Sequence, residues 1–248
     1  TYFMRVSLQP AFLLHRRPFR DTSQILEFLT PEHGRISLVA KGVRRKARGG
    51  SLGAVLQPFT PLLVSFTGRS EMKTLTAVER VGVAMHLQGE RLFSALYVNE
   101  LLIKLLQRHD AHTLLFAHYA RTLEALSSNS AVDVSLRTFE FSLLDALGYQ
   151  INPALDARSG EPVDPDRWYR LQDELGLVLS DEPSHPDRSL FSGADLLRIA
   201  RGDYAGSAGL AAKRLSREAL SVQLGGQPLR SRELFAPQRV DQNAGEQQ

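Results

Sequence analysis

Alternating apolar and polar positions dominate the first third of the chain. Arg35, Ser37, Val39 and Lys41 interleave with Ile36, Leu38 and Ala40, the period of two that sends apolar side chains to one face of a strand. β-forming stretches at residues 11–15 and 23–30 precede this segment, and another at 72–81 follows it. Pro58 and Pro61 punctuate an apolar run over residues 55–66, which reads as a strand entered or bent at its edge. Five short strands with no helical period predict a small closed barrel over residues 1–82, and the five-stranded OB-fold is its natural form.

The period then changes. Leu92, Phe93, Leu96, Leu102, Ile103 and Leu106 crowd one stretch, with Glu100, Lys104, Gln107 and Arg108 as its wet face, so a largely buried helix is expected there. Glu100 and Lys104 make an i,i+4 pair of favourable polarity. Two further helices are predicted over 113–126 and 132–147, with Gly148 placed for the left-handed conformation that ends a helix, so residues 83–148 read as a helical bundle. Through 149–190, Pro153, Pro162, Pro165, Pro183 and Pro186 block long regular elements and predict an irregular region. Helical signals return at 195–201 and 209–224, and a polar tail follows residue 240, so 191–248 reads as C-terminal helices and tail packing on the bundle. The expected architecture is α+β and multi-module: an OB-fold barrel, a helical bundle, and an irregular and helical C-terminal region packed on it.

Charge sharpens this picture. The overall balance of +3 conceals 13 Lys and Arg against 5 Asp and Glu in residues 1–80, a surplus of +8, with 17 against 22 in the remainder, or −5. A basic module joined to a mildly acidic one suits a polyanion on one part and another task on the rest, although an ordinary solvated surface would look similar. The densest cluster is Arg35, Lys41, Arg44, Arg45, Lys46 and Arg48, inside a stretch from His33 to Ser70 without an acidic residue. Cations in a loop bearing Gly42, Gly49 and Gly50 can follow an irregular phosphate backbone, and six contacts to a single strand would give a salt slope of order −4, at about −0.7 per phosphate. Arg16, Arg17 and Arg20 widen the patch from the preceding loop. Phe12, Phe19, Phe59 and Phe66 are candidates for base stacking, with core packing the competing role for each.

Other chemistry finds little support. The chain has no cysteine, which excludes disulfides, thiol catalysis and cysteine-ligated zinc or iron–sulfur sites. There is no phosphate-cradling GxxxxGK[ST] loop and no GxSxG nucleophile elbow, and Gly202, Gly206 and Gly209 do not follow a predicted strand. Asp164, Asp166, Asp181 and Glu182 fall in the proline-rich region, where solvation or capping accounts for them. His109 and His112 sit at a helix junction without a carboxylate signature. The expectation is therefore a non-enzyme with no catalytic residues, cofactor or metal. No apolar run reaches the roughly 18–20 residues that cross a bilayer and no secretory signal opens the chain, so a cytoplasmic place is expected.

Six segments in order carry a resemblance: LVAKGVRRK at 38–46, LQPFTPLLVSFTGRSEMKTL at 56–75, LYVNELLIKLL at 96–106, LGY at 147–149, SGEPVD at 159–164 and LGGQPLRSRELF at 224–235. No single one is diagnostic, yet together they span nearly the whole chain, which resembles the RecO family of bacterial recombination mediators. The resemblance implies an OB-fold that binds single- and double-stranded DNA, strand annealing, interaction with RecR, and help for RecA in replacing single-strand-binding protein, in a cytoplasmic, nucleoid-associated setting. It matches Lys41, Arg44, Arg45, Lys46 and Arg48 to the family's DNA-binding barrel loop, with Arg35 on the strand leading in. Some members receive the acidic, apolar C-terminal tail of single-strand-binding protein in their helical part. For that ligand Arg137 is the preferred anchor here and Arg121 the second, near Leu101, Leu105, Phe116, Tyr119 and Phe141, although these apolar side chains would equally build a bundle core. Several members carry a four-cysteine zinc site within the region matching 150–190; this chain cannot, and Trp168 and Tyr169 must help hold that region by packing. A protein-only adaptor, an RNA-preferring OB-fold and a metal-dependent nuclease remain as alternatives.

Overall fold

In the computed structural model, residues 4–42, 46–47, 50–180 and 190–235 are described. β1 (Met4–Phe19), β2 (Ser23–Thr30), β3 (Gly34–Ala40), β6 (Leu62–Gly68) and β7 (Lys73–Arg80) close into a barrel in the order β1-β2-β3-β7-β6. β4 (Lys46–Ala47) and β5 (Gly50–Ser51) form a two-stranded excursion between β3 and β6, followed by the single helical turn α1 (Leu52–Val55). The predicted strand over 55–66 therefore starts late: residues 52–55 coil, and the chain enters β6 only after Pro61, because each proline removes a donor the ladder needs.

β1 is far longer than the expected 11–15 because it serves two neighbours. Its N-terminal half pairs with β6 and its C-terminal half with β2, with register shifts between Val6 and Gln9 and between Leu13 and His15. Leu8, with φ of 52°, sits in the first of these bulges. The four consecutive buried residues 11–14 explain why strict alternation is hidden there. Ala11 and Leu13 point into the barrel with Leu26, Phe28, Ile36, Leu38, Val64 and Phe66. Phe12 and Leu14 point outward into a second core shared with the helices.

That second core is built by α2 (Gly89–Leu105), α3 (Thr113–Ser127), α4 (Val132–Ala146), α5 (Gly193–Ala200) and α6 (Gly206–Gln223). The ring of Phe12 packs on Phe116 at 5.5 Å and edge-on to Tyr119 at 5.1 Å. Asn99 ties this seam, donating to the Leu14 carbonyl at 3.0 Å and accepting from the Tyr119 hydroxyl at 2.6 Å. α4 ends as its sequence predicts: Gly148 takes φ of +80°, its amide bonds to the Asp145 carbonyl, and the Tyr149 amide reaches back to Leu144.

Residues 149–180 and 190–192 correct the expectation of an irregular region. β8 (Trp168–Gln172), β9 (Gly176–Leu179) and β10 (Leu190–Ser192) form an antiparallel sheet in the order β10-β8-β9. Prolines fall outside these strands, and within β8 Tyr169 and Leu171 turn inward while Trp168, Arg170 and Gln172 turn out, an alternation the sequence displays. Asp156 organises the approach: Oδ1 accepts from the amides of Arg158 and Ser159, and Oδ2 from the amide of Leu179 in β9. The last element among the described residues is a 3-10 helix, Arg230–Phe235, laid along α2.

Candidate nucleic-acid interface and partner cavity

The register of the barrel brings one set of predicted cations together. Pro18 pairs with Gln24 and Gln24 with Ala40, so the end of β1, the start of β2 and the end of β3 lie side by side at one end of the barrel. Arg16, Arg17, Arg20 and Lys41 are all exposed there, with Asp21 in the same turn. The Arg20 guanidinium lies 5.1 Å from the Phe19 ring centroid. Phe19 is half-buried and available to a flat partner, whereas Phe12, Phe59 and Phe66 are buried. Arg44, Arg45 and Arg48 lie outside the described residues, and for Lys46 only its strand pairing with Ser51 is described.

Arg35 has a different role from the one expected. Its Nη1 donates to Glu27 Oε2 at 3.0 Å and its Nε to the Leu106 carbonyl at 3.1 Å, and its side chain is only 12% exposed. Ser37 Oγ at 2.6 Å and Arg108 Nη2 at 3.1 Å complete the shell around the Glu27 carboxylate. Two guanidiniums and a hydroxyl thus satisfy a buried carboxylate, and Arg35 belongs to a clamp between barrel and helices, turned away from the exposed cations.

The seven residues expected around a partner tail do not form one pocket. Leu101 and Tyr119 are fully buried in the core, and Phe116 lies in the barrel–helix seam against Phe12. Leu105 is half-buried at the end of α2. Phe141 stacks on Tyr204 at 6.3 Å beside a different cleft, near Tyr149 and Ile199. Arg121 reaches His118 at 3.3 Å in the α3–α4 groove with Val134 and Thr138, on the other side of α4 from Arg137. Side chains that share a helix in the sequence are sent to separate faces by its 3.6-residue turn.

Arg137 alone of the seven opens on a cavity of about 210 Å³ between α2, α4 and α6. α4 contributes Asp133, Leu136, Arg137 and Glu140, and α2 contributes Glu90 and Tyr97. Lys213 and Arg217 arrive from α6, and Arg232 from the terminal 3-10 helix. Glu140 is fully buried and accepts from Tyr97 Oη at 2.8 Å, Arg137 Nη2 at 2.8 Å and Ser216 Oγ at 2.5 Å. Burial, followed by the neighbouring Glu140 carboxylate, drives the Tyr97 hydroxyl far above its ordinary pKa, so it remains protonated as a donor. Arg137 is 3% exposed, and its Nε and Nη1 have no partner among the described residues. A buried guanidinium with two unmatched donors is costly, and a carboxylate entering the cavity would relieve it. The apolar flank from Leu136 beside the cations suits a ligand that is acidic and partly hydrophobic. Glu140 signals itself in the sequence as the acid three residues after Arg137; Lys213, Arg217 and Arg232 carry no such local sign.

Among the described residues no cluster of histidine, aspartate and glutamate is arranged to hold a metal ion, and no helix is long and apolar enough to cross a membrane. Comparison with known sequences accounts for nearly the whole chain. Residues 4–83 match the family described as Recombination protein O N terminal and residues 86–233 that described as Recombination protein O C terminal. The chain is 45% identical over 230 residues to the DNA repair protein RecO of Stutzerimonas stutzeri, covering 92% of each chain. It is 44% identical over 233 residues to the protein of the same name from Haemophilus influenzae, covering 94% of this chain and 97% of that one. The corresponding protein of Cellvibrio japonicus is 44% identical over 235 residues, 94% and 98% of the two chains.

Proposed function

Because the chain belongs to the RecO family of DNA repair proteins, we propose that it is a recombination mediator that works by binding and carries out no bond chemistry. Single- and double-stranded DNA engage the cationic end of the barrel, and the acidic, apolar C-terminal tail of single-strand-binding protein engages the cavity beneath Arg137. The observation that carries the reading is that exposed Arg16, Arg17, Arg20 and Lys41 lie at one end of the barrel, with Arg44, Arg45 and Lys46 following Lys41 closely in sequence. Cations gathered on one rim release counterions from a phosphate backbone, and the Arg20-backed ring of Phe19 offers a surface on which a base can stack.

Two complementary strands drawn to such a surface are concentrated and their mutual repulsion is screened, which is sufficient for annealing. In this reading the tail cavity brings the chain to DNA already coated by single-strand-binding protein, and RecR joins it there so that RecA can take over the strand. The setting is the cytoplasm, at the nucleoid. Support for the tail assignment is chemical: unmatched Arg137 donors, further cations from α6 and the 3-10 helix, and the apolar flank of Leu136.

The test is fluorescence anisotropy of labelled single-stranded DNA across a salt series, comparing the parent with an Arg44→Ala, Arg45→Ala, Lys46→Ala variant. The expected result is a steep slope for the parent that flattens by about 2 when three phosphate contacts are lost. Equal slopes would move the DNA surface elsewhere; no DNA binding by the parent would favour a protein-only adaptor. Tighter binding to RNA of the same sequence would favour an RNA-binding role, and metal-dependent strand cleavage a nuclease.

A further inference from the structure

The terminal 3-10 helix is fastened at a point far from it in sequence. On α2, Glu100 Oε1 accepts the Arg230 amide at 3.0 Å, and Oε2 accepts the Ser231 amide at 2.8 Å and the Ser231 hydroxyl at 2.6 Å. Lys104, one turn along, donates to the Pro228 carbonyl at 2.6 Å and lies 3.5 Å from Glu100. Leu229 and Ser231 are buried by this docking. Burial alone would raise the Glu100 carboxyl, but the bonds from Ser231 and Arg230 and the nearby Lys104 ammonium outweigh it and hold the group below its ordinary value. This is a charged latch, and its strength exceeds what an exposed i,i+4 pair supplies, since the carboxylate satisfies the first amides of the 3-10 helix directly.

The latch sets the position of Arg232. Tyr97 lies one turn before Glu100 on α2, and the strap that begins at Glu100 carries Arg232 back to the cavity that Tyr97 and Arg137 line. Within that cavity Arg137 is paired with Glu140 and Lys213 with Asp133 at 3.4 Å. Arg217 and Arg232 are the cations left after those pairings, against the single acid Glu90. An anion that meets the two unmatched Arg137 donors therefore shares a cavity with Arg232.

We propose that the latched C-terminal strap is a wall of the Arg137 cavity and that Arg232 is a specificity-determining residue for the carboxylates of an acidic peptide, with Glu100 its positioning residue. The proposal rests on the tail-binding reading of this cavity and adds to it the residue that selects the ligand and the contact that places it.

The test measures binding of a fluorescein-labelled peptide, Asp-Asp-Asp-Leu-Phe, with a free C-terminal carboxylate, and of the same peptide as its C-terminal amide. Arg232→Ala is expected to weaken the acid peptide about tenfold, the loss of one charge-assisted contact, with Arg232→Lys recovering part of it. Glu100→Ala gives the decisive sign. It removes a negative charge close to an anionic ligand, so electrostatics alone would tighten binding; weakening is expected because the strap is released. The double variant should bind no more weakly than Arg232→Ala, since both changes remove the same contact. Thermal unfolding and circular dichroism of each variant keep a loss of fold separate from a loss of contact, and Ser231→Ala, which removes one latch bond only, should fall between parent and Glu100→Ala.

The outcomes separate the two claims. If Arg137→Ala abolishes binding while Arg232→Ala and Glu100→Ala bind like the parent, the strap proposal fails and the tail reading stands. If the parent binds neither peptide, or Arg137→Ala binds as well as the parent, both fail. Tighter binding by Glu100→Ala would also overturn the latch.

Discussion

Glu27 and Arg108, 81 positions apart in sequence, meet at 3.1 Å, where the barrel joins the helices. Arg35 approaches the same carboxylate from the neighbouring strand, and its backbone carbonyl accepts the His109 amide at 3.0 Å. One acid thereby holds the linker after α2 against the outer wall of the barrel. Removing a single member of a buried, hydrogen-bonded ion pair strands the other charges, a loss on the order of 3–5 kcal/mol. Glu27→Ala should therefore lower the urea midpoint by an amount equivalent to about 3 kcal/mol, with Arg35→Ala close behind.

The same clamp separates stability from DNA binding. Arg35→Ala should leave the salt slope of DNA binding at its parent value, because its guanidinium is committed to Glu27 and Leu106. Replacing Arg16, Arg17 and Arg20 together by Ala should do the reverse, leaving the unfolding midpoint near the parent value and reducing the slope by about 2. The reverse pattern in both variants would place the nucleic acid on the clamp side of the barrel.

Gly34 sits where no side chain fits. It has φ of +60°, and a Cβ added to it would lie 1.8 Å from the backbone oxygen of Asp110. The left-handed backbone alone costs an alanine roughly 1–2 kcal/mol, and the clash forces the 108–110 linker away from the barrel. Gly34→Ala is expected to lose cooperative unfolding or to lower the midpoint more than Glu27→Ala, measured by the same denaturation.

Asp156 takes over part of the task that a cross-link would perform in a region without cysteine. Burial by itself would raise its carboxyl, but the amides of Leu179, Ser159 and Arg158 outweigh that and keep it below the ordinary carboxylate value. A carboxylate whose folded pKa is depressed stabilises the fold above its unfolded pKa, and that contribution disappears as pH falls through the folded pKa. Acidification should accordingly speed hydrogen exchange at the Leu179 and Ser159 amides before the barrel strands respond, once the intrinsic pH dependence of exchange is removed. Asp156→Ala should speed it at neutral pH, through the loss of about 1–3 kcal/mol of local stability. Unchanged protection in that variant would show that the β8–β9 hairpin holds itself.

Much of the fold is legible along the chain because local signals coincide with tertiary ones. Ser23–Thr30 is found as read, and Gly148 ends α4 in the predicted conformation. The strand character of 168–172 was obscured by the surrounding prolines, although Tyr169 and Leu171 alternate with exposed neighbours. Only the buried centre of β1 shows as a strand in the sequence: its two arms, residues 4–10 and 16–19, are mostly exposed and owe their pairing to β6 and β2. The site was harder to read. Arg137 stands out as a charge in an apolar helix, but its cavity is completed by Lys213 and Arg232, which only the packing of α6 and the latch on Glu100 bring near. Arg35 shows no sign of its partner in the sequence, because Glu27 lies across a strand pair.

Phe12, Leu14 and Leu29 of the barrel lie in the same hydrophobic core as α2, α3, α4 and the C-terminal helices. A cut near residue 82 would expose that face, so the two ends of the molecule are not modules on a string. On the function proposed above they would act as the jaws of a caliper, keeping a strand held at the barrel rim and a peptide held under Arg137 at one fixed separation. The local concentration of one ligand near the other would then be set by this rigid span, with no flexible linker to lengthen or shorten.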